Sequence, residues 1–105
     1  MALFVAQHRH SPESCPASSH AGALLLAHVS AATAARYGVA IQAEAVIDGE
    51  HGLLLIVEAA EREQVEAFMS FFARLGQVQV RSASSSDEAV ARGGCSATVH
   101  IPGAD

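Results

Sequence analysis

The stretch Val39-Ala40-Ile41-Gln42-Ala43-Glu44-Ala45-Val46-Ile47, with Asp48-Gly49-Glu50-His51-Gly52 and Leu53-Leu54-Leu55-Ile56-Val57 behind it, decides the fold. Val39, Ile41, Ala43, Ala45 and Ile47 alternate with Ala40, Gln42, Glu44 and Val46, the period of a strand with one apolar face. Asp48-Gly49 is a hairpin turn signal, and Glu50-His51-Gly52 lengthens the loop slightly. Leu53 to Val57 is a continuous aliphatic run, which suits a central strand buried on both faces. A hairpin with one central strand needs further strands to flank it and helices to cover it.

Both are found on working outward. Glu61 to Leu75 places Val65, Phe68, Met69, Phe72 and Leu75 on one stripe of a helix that Gly76 ends, and Gln77 to Arg81 alternates as a short strand. Upstream, a helix capped by Ser18 or Ser19 runs to about Tyr37, with Leu25, Val29 and Ala32 inward and Gly38 as its stop. Leu3 to His10 opens the chain as a strand: Phe4, Ala6, His8 and His10 share one face, and Ser11-Pro12-Glu13-Ser14-Cys15-Pro16 breaks it. The order is strand, helix, strand, strand, helix, strand. This split βαβ pattern predicts an α+β fold of the ferredoxin-like kind: a four-stranded antiparallel sheet with two helices on one face. Residues 1–83 form the domain. Residues 84–105 form a tail with a flexible Ser84-Ser85-Ser86, a helical turn from Asp87 to Arg92, Gly93-Gly94-Cys95, and a segment from Ser96 to Ile101 that could add a strand. The open sheet face and this tail lead us to expect a homodimer.

Composition narrows the function. A chain of 105 residues is one domain, half its residues are apolar and 16% are charged, so wholesale disorder is excluded. The net charge of −5, with six scattered arginines and no lysine, speaks against a nucleic-acid partner. The apolar N-terminus lacks a basic segment and ends within six residues, so neither a signal peptide nor a membrane span is expected. A cytoplasmic location follows by default, with Cys15 and Cys95 reduced unless ligated or in redox use.

Six histidines are many for this length, and four lie in the first 28 residues. At strand period two, His8 and His10 leave the same face with Cα atoms about 6.5–7 Å apart, close enough for both rings to reach one ion. Cys15 follows in a loop stiffened by Pro12 and Pro16. Two imidazoles and a thiolate suit zinc, copper or nickel rather than calcium or magnesium. The plainer alternative is two histidines at a sheet edge and an inert small cysteine. Cys95 could be a fourth ligand, a redox partner for Cys15, or a buried strand residue. His51 opens strand three, which on a parallel alignment with strand one lies near Leu3, so it joins the cluster only across a dimer. His20 directly follows the Cys15 loop, His28 suits a half-buried helix position, and Glu13 could be an outer acceptor. No phosphate loop, nucleophile elbow or carboxylate pair is present, so enzymatic activity stays open. Two further readings are a small enzyme or ligand-binding protein with a pocket lined by Gln42, Glu44 and His10, and a thiol-redox protein using Cys15 and Cys95.

The segment from Phe4 to Pro16 also resembles the start of small stand-alone ferredoxin-like proteins of uncharacterised families, in which a strand ends in His-x-His before Pro-Glu and Cys-Pro. Tyr37-Gly38-Val39, Glu50-His51 and Leu55 to Ala59 are similar to them too, and the likeness covers roughly residues 3–81. A related group includes nickel-binding members that assemble as dimers. The resemblance implies a transition-metal role for His8, His10, Cys15 and His51, and a dimeric α/β-barrel assembly.

Overall fold

In the computed structural model, which describes residues 1–15 and 21–96, the chain runs β1 (Ala2–Arg9), a 3-10 turn (Pro12–Ser14), α1 (Ala21–His28), α2 (Ala31–Arg36), β2 (Val39–Ile47), β3 (Gly52–Ala59), α3 (Arg62–Ala73), β4 (Gln77–Ala83) and α4 (Ser86–Ala91). The sheet order is β2-β3-β1-β4 and every pairing is antiparallel. This is the ferredoxin-like architecture, with the main helices on one face. Ser18, Ser19, His20, His100 and the expected strand from Ser96 to Ile101 lie wholly or largely outside the described residues. Among the described residues, no helix is long and apolar enough to cross a membrane.

Alternation in β1 and β3 builds the core. Phe4, Ala6 and His8 from β1, and Leu53, Leu55 and Val57 from β3, face the helices and are buried. Val65, Phe68, Met69 and Phe72 of α3 close over them at helical spacing, all at 0% exposure. Each such side chain contributes about 1.5–3 kcal/mol by leaving water, so α3 is the anchor of the helical layer. A capping box starts it, with the Glu61 backbone N–H donating to Gln64 Oε1 at 2.9 Å.

Four expectations need correcting. The first helix is two helices: Ser30, in extended conformation, ends α1 and caps α2 by accepting from the Thr33 N–H at 3.2 Å. β3 is buried on one face only, since Leu54 and Ile56 sit half-exposed on the uncovered side. The even alternation of β2 breaks at a bulge between Ile41 and Ala43. Ile41 therefore pairs with buried Val57, whereas Ala43 and Ala45 pair with Ile56 and Leu54 on the open face. Ser84-Ser85-Ser86 is structured, because Ser85 and Glu88 form a second capping box that starts α4.

The sheet is also open. Closing a barrel requires pairing around a complete ring. Here the pairing runs out at β2 and β4, which are two free edges. The barrel implied by the resemblance is not formed.

Gly76, expected only as a helix stop, has a second role. A Cβ at this position would overlap the Arg9 carbonyl oxygen and come within 2.9 Å of the His10 Cα. The turn from α3 into β4 thus packs its bare backbone against the end of β1. Gly76→Ala is expected to lower stability by about 1–3 kcal/mol, as overpacking does. The urea midpoint measures it, and an unchanged midpoint would show that the β1 end moves away freely.

Candidate metal centre

His8 is the last inward residue of β1, in register with Leu53 and Val78, and it is 1% exposed. Its ring leans on Phe72 with centroids 5.2 Å apart. His10 lies just past the strand. Its Nδ1 is 3.1 Å from His8 Nε2, and the two ring centroids are 5.0 Å apart. That contact follows from the spacing of two residues along one strand face.

Strand direction brings in His51. The α1–α2 crossover returns the chain to the starting end of the sheet, so β2 is parallel to β1, and the hairpin then reverses β3. β3 is consequently antiparallel to β1, with Arg9 opposite Gly52. This overturns the expected parallel alignment, which put His51 beside Leu3. The His10 N–H donates to the His51 carbonyl at 3.2 Å, one step beyond the strand pairing. The His51 ring meets the His10 ring edge-on at 5.3 Å. His51 also adopts φ 52°, the left-handed region, which costs a residue with a Cβ about 1–2 kcal/mol. Such strain collects at functional positions.

Cys15 returns to the same place through the Pro12–Ser14 turn, whose end is tied by the Cys15 N–H donating to Pro12 O at 3.4 Å. One ligand atom each from His10, Cys15 and His51 lies within 4.8 Å of the others, and all three residues are half-buried. The set could coordinate a transition-metal ion, and its nitrogen and sulfur chemistry fits one. His10 Nε2 is buried with no hydrogen-bond partner, and so is His8 Nδ1. An exposed ion pair, Arg9 to Glu50 at 3.1 Å, spans the same two chain segments and adds little energy.

The other candidates lie elsewhere. His8 stands behind the cluster, with its Nε2 engaged by His10. Cys95 is exposed and lines a groove with Met1, Ala2, Leu3 and Ser84, at the opposite end of β1 from His10, so the structure does not bring the two cysteines together. His28 is a packing residue: it stacks between Phe68 and Phe71 at 4.8 and 4.7 Å, and its Nε2 meets the Phe68 carbonyl at 2.7 Å. Glu13 is exposed on the turn.

The His8 pKa is lowered from its ordinary 6.5, first by burial and second by the charge that His10 can carry; the Gln77 backbone opposes the shift. Above about pH 6.5 both folded and unfolded chains hold a neutral ring. Below it, the unfolded chain takes up a proton that the folded ring resists, so stability falls as pH falls. In chelator-treated protein, we expect the urea midpoint to drop from pH 7 to pH 5, with a slope contribution of at most about 1.4 kcal/mol per pH unit from this ring. His8→Phe should flatten that contribution; an identical pH profile would exclude it.

No protein-family model, no curated protein and no solved structure matches this chain. The family resemblance is corrected accordingly. The ferredoxin-like fold and the His/His/Cys cluster stand, and the barrel that defines the resembled class does not, because the sheet has two open edges.

Proposed function

We propose that this chain is a transition-metal-binding protein that holds one ion, zinc, nickel or copper, on His10, Cys15 and His51. Two observations carry the reading: one donor atom each from His10, Cys15 and His51 converges, and His10, whose Nδ1 is engaged by His8, keeps a buried Nε2 without a partner. An orphaned buried nitrogen costs about 1–3 kcal/mol, and an ion on its lone pair would remove that cost. The strained His51 backbone supports the same reading, since no hairpin needs a histidine in the left-handed region. Three protein ligands leave a fourth position for water or an incoming ligand, which suits exchange: sequestration, delivery or sensing. A cytoplasmic setting would keep the Cys15 thiol reduced for this role.

The enzyme reading has less support. Gln42 lies on the open face, bonded to Glu58 at 3.2 Å, in a groove that includes neither Glu44 nor His10. The thiol-redox reading is weakened by the separation of Cys15 and Cys95 along β1.

His51→Gly separates binding from folding. Glycine adopts the left-handed conformation freely but loses more chain entropy, so stability should change by no more than about 1 kcal/mol. Cobalt(II) titration followed by zinc competition should show one ion per chain in the native protein. In His51→Gly and in Cys15→Ser the affinity should fall by more than about 100-fold, beyond the 10–100-fold typical of outer partners. Native affinity in both variants would refute the site.

A further inference from the structure

The two neighbouring histidines at the end of β1 differ in kind. His10 sits past the strand and contributes to the donor cluster, whereas His8 is a core residue at 1% exposure, wedged against Phe72. One hydrogen bond joins them, His10 Nδ1 to His8 Nε2 at 3.1 Å, and each ring keeps one buried nitrogen without a partner. A single proton occupies that bond, so it has two possible polarities. If His8 Nε2 donates, neutral His10 holds its own proton on Nε2, where a buried N–H faces no acceptor and no metal can bind. If His10 Nδ1 donates, Nε2 presents a lone pair. Only the second arrangement offers a donor atom to an ion.

We propose that His8 is the positioning residue of the metal centre: it accepts the Nδ1 proton of His10 and thereby fixes the tautomer whose Nε2 lone pair is offered to the ion. This rests on the metal-binding reading above and adds to it a residue that touches no metal. The acceptor is well placed for the task. β1 pairing with both β3 and β4 holds the His8 backbone on two sides, and the Phe72 ring limits its rotamer. Outer partners of metal-bound histidine act in this way, by orienting the ring and raising its basicity.

The test combines imidazole nitrogen NMR on metal-free, nitrogen-15-labelled protein with cobalt(II) titration and zinc competition. The wild type should show His10 protonated at Nδ1 and unprotonated at Nε2. His8→Phe keeps an aromatic ring beside Phe72 but removes the acceptor, so the His10 tautomers should mix and cobalt affinity should fall 10–100-fold with the thiolate-to-cobalt absorption retained. His8→Gln places an amide oxygen near the lost nitrogen and should restore the tautomer and most of the affinity. A wild-type His10 protonated at Nε2 overturns the role of His8, as does a His8→Phe protein that binds cobalt as the wild type does. A wild type that binds no cobalt and no zinc overturns the metal reading and this one with it. Should His8→Phe fail to fold, the wild-type tautomer and the His8→Gln affinity decide: Nε2–H on His10, or a Gln variant reduced as far as a ligand deletion, refutes it.

Discussion

The antiparallel pairing of β1 with β3 is the constraint on which the rest depends. It sets eight residues of β1 against eight of β3, from Ala2 opposite Ala59 to Arg9 opposite Gly52. The hydrogen bond from His10 N–H to the His51 carbonyl carries that register past the end of both strands. A shift by one residue would turn His8 out of the core and take His10 away from the hairpin. The helical layer, the buried histidine and the donor cluster all inherit their positions from this one ladder.

The end of the ladder is constrained from several sides. Gly76 brings bare backbone against Arg9 and His10 from the α3–β4 turn, while the hairpin supplies His51 in a left-handed conformation. The Pro12–Ser14 turn folds Cys15 back onto them. Three chain segments therefore converge where β1 stops, each held by its own local geometry. Donors held in this way would need little reordering to take an ion, because less conformational entropy would be lost.

Burying an imidazole inside an apolar core works against stability unless its nitrogens are satisfied. His8 satisfies one through His10 and gains contact with Phe72, yet its Nδ1 stays without a partner of good geometry. His10 Nε2 and the strained His51 add to the cost. An ion bound to the folded chain alone would stabilise it by mass action, so the features that weaken the metal-free fold would couple folding to loading if the cluster takes up an ion. His28 is a contrasting case: its ring sits among Phe68, Phe71 and Tyr37, its Nε2 meets a carbonyl, and it serves packing.

The element order was legible in the sequence because hydrophobic periodicity, Asp48-Gly49 and the stripe from Val65 to Phe72 are local signals. The pairing of His8 with His10 was legible for the same reason, since strand period two places both on one face. The break at Ser30 was available too, as a serine that could cap, but it was hidden inside an apolar helical run. The bulge at Gln42 left no mark in composition. His51 could have been assigned to the His10 end by following chain direction through the crossover and the hairpin; the parallel alignment obscured it. By itself the sequence determined that His8 and His10 leave one face of β1 and that a cysteine follows them closely in the chain. Only the tertiary structure decided that His51 joins His10 and Cys15, that His8 stands behind them, and that Cys95 lies at the far end. Those outcomes depend on strand direction and long-range register, which come from packing between segments distant in the chain.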